Sequence, residues 1–206
     1  MPKKLIGVCL AILLLGGCTK TKDKVQPPKT IHADFQIGEV RPIDPTERPD
    51  AKTKADAEAA QLKNLLDDLF DKAFVVPSDW KGGTHPGLAA SFTPEAQAGL
   101  AANLGGLALT DLAASIDSVK PRKQFMTKTS VFFDPSGSAT QALVTVEFEA
   151  DAKTKPSAQG PVGLVETGMF WFTKAGGTYK ISAYSTTFKA DTVVKSAAFG
   201  EMGAIK

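Results

Sequence analysis

The apolar positions of this chain change their spacing several times, and each change marks an element. Residues 5–15 form an unbroken apolar run, which Thr19, Lys20, Thr21 and Lys22 bring to a close. Residues 19–49 show no sustained helical or strand period and carry Pro27, Pro28, Pro42, Pro45 and Pro49. A helical stripe follows, in which Leu62, Leu65, Leu66, Leu69, Phe70, Ala73 and Phe74 recur on one face. Thr53 and Asp56 predict its start as a capping pair, and Val76-Pro77 predicts its end. Lys63, Asp67, Asp68, Asp71 and Lys72 mark the solvated side, with Asp68 and Lys72 spaced for a helical ion pair. Thr93-Pro94-Glu95 opens a second helix with a cap, a proline at the first position and an acid in the first turn. Gly105-Gly106 stops it. Residues 107–119 fit either a short third helix capped at Thr110-Asp111 or a direct run into a sheet.

From Lys123 onward the period is two. Residues 125–133 read as a strand, and Asp134-Pro135-Ser136-Gly137 has turn chemistry. Next, Ala142, Val144, Val146, Phe148 and Ala150 alternate with Gln141, Thr145, Glu147 and Glu149. Residues 151–161 read as a polar loop. Two further strands, 162–173 and 178–188, flank Gly176-Gly177, a hairpin signal. Helices first and a meander afterwards predict an α+β class, with N-terminal helices packed on one face of a curved antiparallel sheet of about four strands. The Gly-Gly turn leading into Thr178-Tyr179-Lys180-Ile181-Ser182-Ala183-Tyr184 resembles the nuclear-transport-factor-2-like superfamily. That resemblance, over residues 55–189, implies a cone-shaped sheet with an apolar pocket.

Composition matters mainly at the N-terminus. Lys3-Lys4 precede the apolar run, which is too short for a membrane-spanning helix of about 20 residues. Basic start, short core and small residues follow the secretory pattern. The run ends in Leu15-Gly16-Gly17-Cys18 rather than an A-x-A site. These residues resemble the lipobox of bacterial lipoproteins. The resemblance implies a diacylglyceryl group on the Cys18 thiol and cleavage just before it, with Leu15, Gly16 and Gly17 read by the peptidase. The bland alternative is an ordinary secreted protein in which Cys18 is incidental. The expected organisation is a signal peptide at 1–17, a lipid-anchored tether at 18–50 and one domain at 51–206.

Lipidation would leave the mature domain without a free thiol, because Cys9 departs with the leader and the chain has only 2 Cys. Thiol catalysis and Cys-based metal sites then drop out. The formal charge of +2 falls near zero once Lys3 and Lys4 are removed, so no global basic field is available for nucleic acid. Lys20, Lys22 and Lys24 either lie against anionic headgroups, at about 1 kcal/mol each, or only solubilise a linker. The tether is not purely polar: Ile31, Phe35, Ile37, Val40 and Ile43 are expected to dock on the domain surface.

Candidate chemistry is sparse. The chain has 2 His, and His85 is the domain candidate, sharing a loop with Asp79 and Trp80. An Asp–His pair there would abstract a proton, but the surrounding Gly82, Gly83, Pro86 and Gly87 read as a surface turn. Neither a metal-ligand set nor a cofactor motif is visible, and no catalytic residue is assigned. Met169-Phe170-Trp171-Phe172 splits by strand geometry, Phe170 and Phe172 to one face, Met169 and Trp171 to the other. With Trp80, His85 and Tyr184, Phe170, Trp171 and Phe172 form the candidate pocket or partner surface. The preferred reading is a non-catalytic protein-interaction lipoprotein on the outer side of the cell membrane, docking an envelope protein or a second copy through its sheet. The alternative is a carrier or sensor of an apolar small molecule or lipid. A carrier needs a cavity of a few hundred Å³. A scaffold should have a filled interior and an exposed apolar sheet face, and an enzyme a perturbed carboxylate or His inside a cavity.

Overall fold

The computed structural model describes residues 31–80, 82–122, 125–155, 161–191 and 193–200. Cys18, Leu15, Gly16, Gly17, Lys20, Lys22 and Lys24 lie outside the described residues. Among those described, no helix is long and apolar enough to cross a membrane.

The first element is a strand, β1 (Phe35–Ile43), followed by helix α1 (Ala51–Phe70). A π-helical turn, Asp71–Val75, continues α1, and the short α2 (Pro77–Trp80) follows it. A 3₁₀ turn at Leu88–Ser91 leads to α3 (Pro94–Asn103) and a second 3₁₀ turn at Leu104–Gly106. Six strands complete the chain: β2 (Ile116–Pro121), β3 (Phe125–Phe133), β4 (Ala139–Thr154), β5 (Val162–Ala175), β6 (Thr178–Ala190) and β7 (Val193–Phe199). They form one 7-stranded sheet in the order β1-β3-β4-β5-β6-β7. β1 pairs β3 in parallel, and the other pairings are antiparallel. β3 pairs the first half of β4 and β2 its last residues, so β2 and β3 lie end to end along one edge of that strand.

This corrects the expectation of N-terminal helices on an antiparallel sheet of about four strands. A strand precedes the helices, one pairing is parallel, and the sheet has seven strands. The physical reasons are local. In β1 the register shifts between Ile37 and Glu39, which breaks the period of two, and Pro42 disguises the rest as linker. β2 is short, and β7 has a β-branched pair only at Val193-Val194 before Lys195 and the small residues Ser196, Ala197 and Ala198. Helices and strands still occupy largely separate stretches of chain, as in an α+β domain.

Several local expectations hold. Thr93 caps α3 by accepting the Ala96 amide at 3.3 Å, and Lys72 pairs with Asp68 at 2.5 Å. Both glycines of the β5–β6 turn have positive φ, 58° and 81°, which a side chain would strain. The Thr53 start is wrong: α1 begins at Ala51, and its flanking Asp50 makes no side-chain cap. Residues 107–115 are turns that run into β2, and β4 extends to Thr154, into the expected polar loop.

The core lies between the helices and one sheet face. Phe148 of β4 is its hub, with Phe70 at 5.1 Å, Phe74 at 5.5 Å and Phe125 at 4.9 Å between ring centroids. Phe35 joins this row against Phe70 at 4.9 Å. Burying each ring contributes about 1.5–3 kcal/mol, and each well-placed aromatic pair about 0.5–1.5 kcal/mol more. The segment expected to dock as tether is thus built into the core through Phe35, while Ile31 and Ile37 remain exposed.

Candidate functional site

The candidate residues do not converge on one site. Trp80, His85, Phe170, Phe172 and Tyr184 are buried on the helix side of the sheet. Trp171 lies on the opposite face, half-buried, with its ring 5.0 Å from that of Phe132. Pairing registers carry this outer face across the sheet. Leu143 stands beside Trp171, and Ala183 on its other side. Farther along the same face, Met126, Lys128, Thr145, Met169 and Thr187 line an open groove of ≈ 420 Å³. Met126 is the most exposed large apolar side chain described, at 63%. No described helix packs there, and the face mixes aromatic, Met and hydroxyl groups with the charged Lys128 and Glu147.

The loop around His85 has a structural task. Its Nδ1 meets the Lys72 carbonyl at 3.1 Å, and the Ala73 carbonyl accepts the Leu109 amide at 3.2 Å. Lys72 and Ala73 both belong to the π turn, which closes through the Val76 amide on the Asp71 carbonyl at 2.9 Å. His85 and Leu109 therefore take up the carbonyls that this turn releases from the regular ladder. The bond to a carbonyl fixes Nδ1 as the protonated nitrogen. Burial pushes the imidazole pKa down, so the neutral form is favoured. Asp79 lies beside Ser78 at 3.4 Å, and no Asp79–His85 bond forms. The proposed proton-abstracting pair is not assembled.

The carboxylates read as a solvated helix face do something else. Asp67 accepts the Phe35 amide at 2.8 Å, and Asp71 accepts the Ala33 amide at 2.6 Å. Asp71 also meets His32 Nδ1 at 2.7 Å. These groups hold the chain that enters β1.

The sequence reading missed Glu166. It sits on β5 with the inward parity of Leu164, Phe170 and Phe172, and is 1% exposed. Neither carboxyl oxygen has a hydrogen-bond partner among the described residues. Thr186, diagonal to it on β6, donates its hydroxyl proton to the Gly106 carbonyl at 2.7 Å, so that carbonyl competes with the carboxylate for the same proton. Burial pushes the Glu166 carboxyl well above the usual carboxylate range, against a smaller opposing effect of Thr186. It faces an apolar cavity of ≈ 10 Å³ lined by Phe70, Phe74, Phe92, Leu107 and Phe170. That is about the minimum for a single water. The signal was available: one Glu in the middle of a strand, sharing its parity with Val162, Leu164, Gly168, Phe170 and Phe172, with Lys174 near the strand's end.

Among the described residues no group of His, Cys, Asp or Glu is placed to hold a metal ion. Compared with models of protein families, with curated proteins and with solved structures, the chain matches none.

Proposed function

We propose that the chain is a lipid-anchored, extracytoplasmic protein-interaction module that docks a protein partner through the outer face of its sheet. The observation that carries this reading is the asymmetry between the two sheet faces. The inner face is closed by helices over a cavity of ≈ 10 Å³, whereas the outer face leaves Met126 63% exposed and Phe132 tilted against Trp171. Aromatic and Met side chains are the types enriched at protein interfaces, where a few such anchors dominate affinity. The carrier reading would need an interior tens of times larger. The anchor rests on the lipobox resemblance of Leu15-Gly16-Gly17-Cys18.

Two measurements test the two parts separately. Cys18→Ser should move the protein from the membrane fraction to the soluble fraction or block its processing; unchanged retention would refute the anchor. A photo-crosslinking residue at Phe132 should give a defined protein adduct that Trp171→Ala abolishes. The same probe at Glu95, exposed on α3, should give none. Equal adducts at both positions would refute the docking face, and an adduct of twice the chain's own mass would make the partner a second copy.

A further inference from the structure

We propose that loss of the Glu166 proton lifts the cover formed by α2, the two 3₁₀ turns and α3 from the inner face of the sheet, making this layer a proton-operated lid. The geometry supplies three elements of such a device. First, the carboxyl is enclosed: its cavity is lined by hydrocarbon, and neither oxygen has a partner among the described residues. A neutral acid is tolerated there, but an anion is not, because nothing in the cavity replaces its lost hydration.

Second, the described groups that line its cavity carry no charge that could neutralise it. From α1 and the π turn come Leu69, Phe70, Ala73 and Phe74; from the cover, Leu88, Phe92 and Leu107. β4 and β6 contribute Phe148 and Phe188, the paired neighbours of Glu166 across the sheet. The titratable groups of these elements are engaged elsewhere. Asp67 and Asp71 bind the chain entering β1, Lys72 pairs with Asp68, and His85 is turned to the Lys72 carbonyl. Lys180 of β6 reaches the Ala90 carbonyl, and Lys195 of β7 reaches Asp111. Tyr184 of β6 packs against Phe92 and Phe199.

Third, the cover is the least regular layer of the fold. It consists of a 4-residue helix, two 3₁₀ turns and a 10-residue helix. Short elements of this kind open at lower free energy than a continuous sheet. The Thr186 bond to Gly106 ties the cover to β6 directly beside the carboxyl, so ionisation acts on a fastening point. The sign follows from linkage. The folded pKa is raised, so the stability of the closed form is fully present below the unfolded value near 4.5 and declines as pH rises toward the folded value.

Trp80, fully buried within the cover, is the reporter. In a full-length Trp171→Phe background it is the remaining tryptophan, since the chain has 2. Acrylamide quenching of Trp80 should rise several-fold between pH 5 and pH 9, while far-UV circular dichroism from the sheet is retained. Glu166→Gln, and independently Glu166→Leu, should make the quenching flat over that range. Equal pH profiles with and without the carboxyl would overturn the proposal. So would a rise in quenching that coincides with loss of the sheet signal, which would be global unfolding rather than a lid.

Discussion

The Asp67 carboxylate accepts the backbone amide of Phe35 across the junction between α1 and β1, at 2.8 Å. Asp71, one turn later, does the same for Ala33. The first strand is therefore fastened by side chains of the helix that follows it as well as by its parallel pairing with β3. Asp67→Ala should cost about 1–3 kcal/mol, because a part-buried amide loses its acceptor. Asp68→Ala, which loses only the pair that its half-exposed carboxylate makes with Lys72, should cost about 1 kcal/mol or less. Urea midpoints of the two variants, with protease sensitivity of residues 31–43 as local readout, check the contrast.

Phe148 touches four other rings of the core, Phe35, Phe70, Phe74 and Phe125. Phe148→Ala should lose about 3–5 kcal/mol, a large part of a typical domain stability of about 5–15 kcal/mol. Thermal denaturation should show a fall of many degrees or no cooperative transition at all. A midpoint within a few degrees of the parent would contradict the assignment of this ring as hub.

Gly106 lies where the cover meets β7. A Cβ there would stand 2.6 Å from the Ala197 amide nitrogen and 2.6 Å from the Ser196 carbonyl carbon, both backbone atoms that cannot step aside. Gly106→Ala should therefore force the 3₁₀ turn away from the strand at a cost of about 1–3 kcal/mol. Hydrogen exchange should show the loss of protection concentrated in residues 94–107 and β7. A uniform loss across the sheet would argue against a local clash.

Acid should weaken the fold through His85. Its pKa is lowered by burial, so the stability it permits is present above the unfolded value of about 6.5 and is lost as pH falls below it. The loss can reach about 1.4 kcal/mol per pH unit until the folded pKa is passed. His85→Asn keeps a residue tolerant of the positive φ of 44° and removes the titrating ring. Melting temperature between pH 7 and pH 5 should fall less steeply in that variant. An unchanged slope would place the acid sensitivity elsewhere.

The long central elements were readable because their buried positions follow one period. Ala142, Val144, Val146, Phe148 and Ala150 are all buried, and Phe170 and Phe172 part from Trp171 as strand parity requires. The edges were not readable. β1 and β7 have one neighbour each, and their apolar positions are interrupted by a bulge or replaced by small residues. The roles of Asp67, Asp71 and His85 were hidden for a different reason: each is satisfied by a backbone group 13 to 38 residues away. Such distances leave no trace in a local pattern. Glu166 was the exception, since its parity alone set it among core residues.

The parallel placement of β1 against β3 also decides how the domain answers a mechanical load. A pull on the N-terminal segment along β1 strains its inter-strand bonds side by side, in shear, so that they must slip together. Tearing a hairpin from its open end would break them one after another. Tension entering through the chain that leads into β1 would meet the arrangement that resists it best.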